Sequence, residues 1–520
     1  MPCHLSPCTH ARDPQRGVVV AHVRAGSCAL TRTADLYRPG SLTGSLFYAR
    51  KKTNMNPTEP RPKNLPTVRP SVRELPADLL TPVGAYLRLR DLGPGFLLES
   101  VEGGQQVGRY SFLSAGCERL DLDLTGDDPF APLRAALDAN RSLDLTGLPP
   151  FAGGAVGLLG YDAIPAFEPT VPLPAAEDGD LAHPASFLLT PVVVAFDHVR
   201  ATVQVIAQPG HEALADEMTA RLLGPLPEDV QPVPPLVTGG ESVADLEIDE
   251  YIERVEIGKQ HITAGDVFQV VLSQRHRRRT PRSPVAIYRA LRAVNPSPYL
   301  FLVELGELAL IGASPETHVA LSREGIAELR PIAGTRPRGE EAEEDDRLAD
   351  ELLADPKERA EHQMLVDLAR NDLSRVCDPG TVRPTRLLEI ERYSHVMHIV
   401  SRVEGRLSAG EDAFSLLAAT FPAGTVSGAP KVRAMQIISA LEPHRRGAYA
   451  GAGGYLGTDG TLDTCIALRT IQLRDGVATL QAGAGIVADS DPAEEHRECL
   501  RKIAALQRAV DLADAGVYGR

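Results

Sequence analysis

The chain has 520 residues, 43% of them hydrophobic, and a formal net charge of −15. That supplies a large core in two or more domains or one compound one, and the acidic balance excludes global attraction to nucleic acid or a membrane surface while leaving room for a local basic pocket. No apolar run approaches the roughly 18 residues of a membrane span, and the seven cysteines (Cys3, Cys8, Cys28, Cys117, Cys377, Cys465, Cys499) contain no C-x-x-C pair, so they read as reduced thiols of a cytoplasmic protein.

Residues 1–54 stand apart. They carry Arg12, Arg16, Arg24, Arg32, Arg38, Arg50, Lys51 and Lys52 against only Asp13 and Asp35. A transit peptide has that composition; the preferred reading is an unstructured extension upstream of a start at Met55, followed by a Pro-rich lead-in from Pro57 to Pro70. From Val72 the pattern turns globular. A short helix is expected over 82–90 and strands over 95–102 and 108–112. The glycine-rich run 151–162 lacks the strand, G-x-G-x-x-G and helix context of a dinucleotide loop and reads as close packing of strands. Residues 185–207 are strand-like, and 211–223 read as a helix. The Pro/Gly-rich stretch 224–240 separates a domain over 55–235 from one over 245–515.

In the second half helices are expected over 248–264, 284–294, 412–420, 430–441 and 492–513, with a further one over 347–372 broken at Asp355-Pro356. Strands are expected over 266–273, 299–303, 308–311, 401–407, 450–457, 462–473 and 477–482. The acidic run 340–346 reads as a solvated loop or helix start.

Polar groups set into apolar runs carry the chemistry. Pro331-Ile-Ala-Gly-Thr-Arg-Pro-Arg-Gly339 fixes its backbone with two prolines and two glycines and presents N–H groups and positive charge to an anion. Helical spacing puts Glu358, Glu361, Leu365, Leu368 and Asp372 on one stripe. With the leucines facing the core, Glu361 lies on an apolar face where an unpaired carboxylate is costly. It is therefore bonded to an arginine or backbone group, or it ligates a metal. In the last helix Cys499, Ile503, Leu506 and Val510 form the buried stripe, with Glu495 and Glu498 beside it. Glu498 and Lys502 are spaced for a surface salt bridge. Two inward carboxylates from different helices also suit Mg²⁺, which takes few protein oxygens and accepts an anionic substrate as a further ligand. Arg469, inside a strand of Ile, Ala and Leu, needs an anionic partner. Gly483 and Gly485 let backbone N–H groups approach a carboxylate, and Tyr449, the 424–431 segment and the histidines of Ser394-His-Val-Met-His398 complete the set. Together these groups describe a pocket for a small polyanion with one metal.

The stretches 265–273, Gly312-Ala-Ser-Pro-Glu316, 331–335, 361–372, 425–431 and 481–485 resemble the chorismate-utilising enzymes, in detail the family of the large subunit (component I) of anthranilate synthase. The resemblance covers about 245–510 closely, and 72–220, including Leu97-Leu-Glu-Ser100, more weakly. It implies an α+β fold of large, mostly antiparallel sheets packed with helices. It implies an N-terminal domain with a regulatory site and a C-terminal chorismate-binding catalytic domain. Glu361 and Glu498 would hold Mg²⁺. Gly334, Thr335, Tyr449, Arg469, Gly483, Ala484, Gly485 and Lys502 would bind chorismate. Glu316 matches the general acid, His398 the group assigned to pyruvate loss, and Thr425 and Gln269 belong to the catalytic set. Isochorismate- and salicylate-forming relatives have a lysine at Gln269, and aminodeoxychorismate synthases often have one at Ala333. Both are absent here, which favours conversion of chorismate and ammonia to anthranilate and pyruvate, the first step of tryptophan biosynthesis.

No G-x-C-x-G nucleophile elbow occurs, so ammonia is expected from a separate glutamine amidotransferase subunit (component II). The family's feedback site for L-tryptophan maps onto Ser100, Pro298, Tyr299 and Leu300, where Leu300 replaces a common Met. The alternative activity is that of aminodeoxychorismate synthase component I. An inert binding subunit is disfavoured by the intact Glu316, Glu361, His398 and Glu498.

Overall fold

The computed structural model describes residues 68–516 apart from 103–105, 139–142, 178, 229, 231–235 and 394–395. The extension 1–54 and His395 thus lie outside the described residues. Two large sheets carry the fold. The first runs Ser71–Pro76, Thr202–Ala207, Val192–Asp197, Tyr110–Ser114, Gly95–Glu99, Tyr299–Glu304, Leu308–Ser314, Thr470–Arg474, Val477–Ile486, Gln269–Arg279, Val243–Ala244, with Gly428–Ala429 beside the Gln269 strand. The second runs Ile332–Pro337, Val396–Arg406, Ile326–Leu329, Thr317–Leu321, Leu462–Ile466, Ala452–Gly457, Gly154–Leu159, Ala185–Thr190, Glu118–Leu122, with Arg383–Arg392 also paired to Val396–Arg406. Their neighbours pair antiparallel throughout. Strands from before and after the 224–240 stretch lie side by side in both sheets, and Pro62–Arg520 form one compact unit.

The sheets meet through a layer of apolar side chains. Phe96, Val193 and Phe301 come from the first sheet, and Val156, Leu158 and Leu188 from the second. On the other face of the first sheet, Ile287 and Leu291 of the helix Pro284–Val294 pack with Ile503, Leu506 and Val510 of the C-terminal helix Pro492–Asp514. These are the apolar stripes that 3.6-residue spacing predicts. The 151–162 run holds the strand Gly154–Leu159, where a Cβ on Gly157 would stand 2.1 Å from the Ser186 carbonyl oxygen. Glycine there permits strand contact, as expected.

The structure corrects the sequence reading at three places. The expected strand 462–473 is two strands, Leu462–Ile466 in the second sheet and Thr470–Arg474 in the first. Arg469 sits in the break between them with φ +47°. The 331–339 segment is largely the strand Ile332–Pro337, with a register shift between Ala333 and Thr335. Its arginines are spent on structure. Arg336 pairs with Asp355 at 2.9 Å and Arg338 with Asp345 at 2.7 Å, so neither is free to meet a substrate anion. Asp345, in the run read as solvated, is 6% exposed, and its bond to Arg338 holds its carboxyl well below the usual range.

One buried ion pair ties the frame together. The Arg446 and Glu442 side chains are 1% and 7% exposed and 2.7 Å apart. Arg446 also donates to the carbonyls of Val426 and Val271, each at 2.7 Å. Ser273 donates its N–H and hydroxyl to Glu442 at 2.8 and 2.9 Å. The pair thus joins the helix Lys431–Leu441 to the Gln269 strand and to the 424–426 turn. Removing one member leaves a buried charge without compensation. Arg446→Met is expected to destabilise the fold by about 3–5 kcal/mol, and Arg446→Met with Glu442→Gln by less. Urea denaturation of the two variants measures the difference; equal loss in both would contradict this role.

Candidate active site

The site forms where two neighbouring chain segments change sheets. Leu308–Ser314 ends in the first sheet and Thr317–Leu321 starts in the second, with Glu316 at the crossing. Beside it, Leu462–Ile466 passes to Thr470–Arg474 in the opposite direction, with Arg469 at the crossing. The crossings are stitched together by Ile466 N–H donating to Glu316 O at 3.0 Å and Ala313 N–H to Arg469 O at 3.2 Å. A carboxyl group and a guanidinium cation are thereby delivered to one apolar seam.

Glu316 is 6% exposed. Burial pushes its carboxyl up to about 8, opposed by the Thr425 hydroxyl and the charge of Arg469. Thr425, on the 424–426 turn, donates to Oε1 at 2.7 Å. The other oxygen is left to carry the proton. The Arg469 guanidinium is depressed by burial and has no hydrogen-bonded or ion-paired partner among the described residues, while it feels the charge of Glu316. A half-buried cation in that condition is a binding group for an anion.

Across the seam, His398 lies opposite Thr335 in the pairing of Val396–Arg406 with Ile332–Pro337. Its Nδ1 is 2.9 Å from the Gly334 carbonyl and 3.1 Å from Thr335 Oγ1. Burial, aided by Arg469, holds the ring below its usual value, so the imidazole is neutral at pH 7. With Nδ1–H donating to Gly334, the lone pair sits on Nε2.

The carboxylates form a second group. Glu361, on the helix Pro356–Ser374, accepts a long hydrogen bond from Gln269 Nε2 at 3.3 Å. Burial pushes its carboxyl up, and the charges of Glu358 and Glu498 add to this. Glu498 makes the expected pair with Lys502 at 2.7 Å, and Lys502 also donates to Gly483 O at 2.8 Å. Like charges are thus gathered from two helices, with a lysine beside only one of the pair Glu361 and Glu498, and such a group favours a cation. Among the described residues no group of three or more His, Cys, Asp or Glu is arranged to hold a metal; two carboxylates are what a largely hydrated Mg²⁺ takes.

The strand Val477–Ile486 brings in the glycines. A Cβ on Gly483 would meet the Tyr449 hydroxyl at 2.7 Å, and one on Gly485 would meet Gln269 Nε2 at 2.5 Å. Ala484 between them is 0% exposed, so its methyl packs in the core and only its backbone is offered to a ligand. The Tyr449 ring lies 5.5 Å from the Arg446 guanidinium. The residues named from the sequence fall in two groups: Glu316, Thr425, Arg469, His398, Gly334 and Thr335 about the crossings, and Gln269, Glu361, Glu498, Lys502, Tyr449, Gly483 and Gly485 about the Val477–Ile486 strand. Ser100, Pro298, Tyr299 and Leu300 fall elsewhere, on the wall of a separate cavity of about 590 Å³.

Two motif residues have structural roles instead. Lys431 Nζ donates to Asp372 at 2.7 Å and to Thr420 O at 2.9 Å in a buried pair that joins two helices. Sequence reading missed the Glu442–Arg446 pair, because nothing in an Arg445-Arg446 dipeptide signals burial.

Residues 94–508 match the model of the chorismate binding enzyme family. The chain is 46% identical over 474 residues to anthranilate synthase component 1 of Thermus thermophilus, covering 86% of this chain and 99% of that protein. It is 47% identical over 468 residues to the protein of that name from Streptomyces coelicolor, covering 86% and 90%. The chain belongs to the anthranilate synthase component 1 family of chorismate binding enzymes. Its fold matches the crystal structure of anthranilate synthase component I from Streptococcus pneumoniae with a TM-score of 0.67 at 33% identity, over 89% of this chain and 97% of that one. The menaquinone-specific isochorismate synthase from Escherichia coli shares the fold, with a TM-score of 0.64 at 22% identity, over 86% and 96%. The α+β architecture read from the resemblance is the one observed.

The elevated Glu316 carboxyl has a testable consequence. Folded, it titrates at about 8 against an ordinary 4.5. The folded state therefore binds the proton more tightly; that stabilisation is complete below pH 4.5 and is lost as pH rises through about 8. With Glu316 as the general acid that the resemblance implies, turnover is expected to fall over the same rise. Thr425→Val removes a hydrogen bond that lowers this value, so the falling limb of kcat/KM moves to higher pH. A limb at the parental pH in the Val variant would mean that another group causes it.

Proposed function

We propose that this chain converts chorismate and ammonia to anthranilate and pyruvate, the first step of tryptophan biosynthesis. The observation that carries the reading is the neutral Glu316 beside Thr425 and Arg469, facing a site whose Gln269 is an amide and not a base. An amide cannot deprotonate water, so a nucleophile that is already neutral and reactive, ammonia, suits the site.

Arg469, Tyr449 and the backbone at Gly483 and Gly485 bind the substrate's carboxylates and ring, and Gly334 and Thr335 close the other side. Ammonia forms a C–N bond at the ring carbon next to the carboxylate-bearing one, the ring double bonds shift, and the C–O bond to the ring hydroxyl breaks. Glu316 gives its proton to that departing oxygen, which leaves as water, and the new ammonium returns a proton to Glu316. His398 Nε2 then takes the proton from the amine-bearing carbon. The enolpyruvyl C–O bond breaks, the ring becomes aromatic, and the departing enolate takes up that proton and tautomerises to pyruvate.

Glu361 and Glu498 fit Mg²⁺, since both are carboxylates and the charge of Glu498 adds to the upward push on the buried Glu361. When bound, that ion supplies positive charge to the ring carboxylate. The ammonia comes from a glutamine amidotransferase partner (component II). In support, the described thiols Cys117, Cys377, Cys465 and Cys499 are all buried and pushed up to about 11 or 12, so none is an activated nucleophile. Reduced buried thiols also fit a cytoplasmic enzyme. No helix among the described residues is long and apolar enough to cross a membrane.

The cavity of about 590 Å³ is assigned to L-tryptophan as feedback inhibitor. Its size suits a small ligand. Ser100, Pro298, Tyr299 and Leu300 line it together with Arg330, Glu391 and aromatic Phe301, which offer both charge signs and an apolar slot to an amino acid.

Chorismate, ammonia and Mg²⁺ with the purified chain are expected to yield anthranilate and pyruvate in equal amounts. Release of a non-aromatic aminodeoxychorismate as final product would favour the alternative activity. Glu361→Gln is expected to lower turnover about 100-fold or more while keeping the melting temperature; near-normal turnover at limiting Mg²⁺ would remove Glu361 from the metal set. Ser100→Phe fills part of the cavity. It should weaken tryptophan inhibition about tenfold or more with kcat within about twofold, and unchanged inhibition would place the effector elsewhere.

A further inference from the structure

The cavity and the His398 base share a wall. Arg330, Glu391 and Tyr393 line the cavity. Glu391 stands opposite His398 in the pairing of Arg383–Arg392 with Val396–Arg406. Both of its carboxylate oxygens are used: Arg330 Nη2 donates to Oε1, and the Tyr393 hydroxyl donates to Oε2 at 2.8 Å. Tyr393 in turn sets its ring edge-on against the His398 imidazole, with centroids 5.6 Å apart and planes at 62°. Arg330 also borders the small cleft that contains Glu316 and Thr425. The neighbouring Arg392 takes no part, being paired with Asp345 and Asp346.

This arrangement answers a mechanical need. The hydrogen-bond contacts of the imidazole with Gly334 O and Thr335 Oγ1 are both made at Nδ1. They anchor that nitrogen and leave the far side of the ring, with Nε2, to be held by packing. An aromatic edge against the ring removes the remaining freedom. The Tyr393 hydroxyl ties that ring to the Glu391 carboxylate, whose second oxygen belongs to Arg330, while its backbone is fixed separately by Val396 O and Arg338. A ligand carboxylate or ammonium in the cavity competes for these same two charged groups.

We propose that Tyr393 is a positioning residue for His398, and that the Arg330–Glu391–Tyr393 chain is the route by which an occupant of the cavity disables the base. The second half rests on the assignment of that cavity to tryptophan. Loss of the Tyr393 ring therefore slows the second half of the reaction, proton removal with pyruvate loss, more than the first. Loss of the hydroxyl alone leaves the ring in place and cuts the link to the cavity.

Three readouts on Tyr393→Ala, Tyr393→Leu and Tyr393→Phe separate these effects: kcat and KM for chorismate, the ratio of released amino-cyclohexadiene intermediate to anthranilate, and tryptophan binding by calorimetry beside tryptophan inhibition. Tyr393→Ala and Tyr393→Leu should lower kcat about tenfold to a hundredfold with KM within about twofold, and should release the intermediate. Tyr393→Phe should restore kcat, bind tryptophan like the parent, and resist inhibition about fivefold or more. Parental kcat and no intermediate from a folded Ala or Leu variant would overturn the positioning role. Parental inhibition of Tyr393→Phe would overturn the relay while leaving the tryptophan cavity intact. A parent enzyme that neither binds nor responds to tryptophan would overturn the cavity assignment and the relay with it, but not the positioning role.

Discussion

Two strands that change sheets side by side impose the chemistry of this molecule. A chain crossing between packed sheets runs through apolar surroundings, and any polar group placed there is stripped of water. Here the two crossings carry Glu316 and Arg469, opposite in charge and without a direct hydrogen bond to each other among the described residues. Burial pushes the carboxyl toward its neutral form and depresses the guanidinium. The seam therefore holds a proton donor at neutral pH and a cation that has no full counter-ion until an anion arrives. Desolvation dominates both shifts, outweighing the attraction between the two groups.

The surrounding structure keeps that seam in register. Arg446 binds backbone carbonyls of the Gln269 strand and of the turn that bears Thr425, and its guanidinium lies 4.6 Å from the Tyr161 ring and 5.5 Å from that of Tyr449. Asp372 and Lys431, both inside stretches that resemble the family, act in the same way at the base of the Glu361 helix. These residues shape the site without touching substrate.

Much of this was legible in the sequence, for identifiable reasons. Helices with an apolar stripe announce themselves by spacing, and a carboxylate on such a stripe, as at Glu361, is costly enough to demand a purpose. The sheet change at Arg469 was not legible. Ile466, Ala467 and Leu468 on one side and Ile471 on the other read as one continuous strand, and the break is made by a non-glycine residue at positive φ. The strand Arg383–Arg392 escaped because it is an edge with mostly exposed, charged residues and no apolar period. With it went Glu391 and Tyr393, whose meaning depends on cross-strand neighbours. The arginines of 331–339 misled in the opposite direction. Their pattern fits an anion site, but Asp345 and Asp355 reach them first, and no local signal shows that helices brought close by folding supply the partners.

The account stands on Glu316 being a protonated, buried carboxyl at neutral pH. Infrared difference spectroscopy between the parent and Glu316→Gln, recorded in heavy water across a pH series, observes that group directly. The account predicts a protonated-carboxyl carbonyl band at pH 7 that is absent from the variant and converts to a carboxylate band as pH rises through about 8. A carboxylate band at pH 7, already lost in the Gln variant, would show that the seam does not hold the proton and would contradict the mechanism built on it.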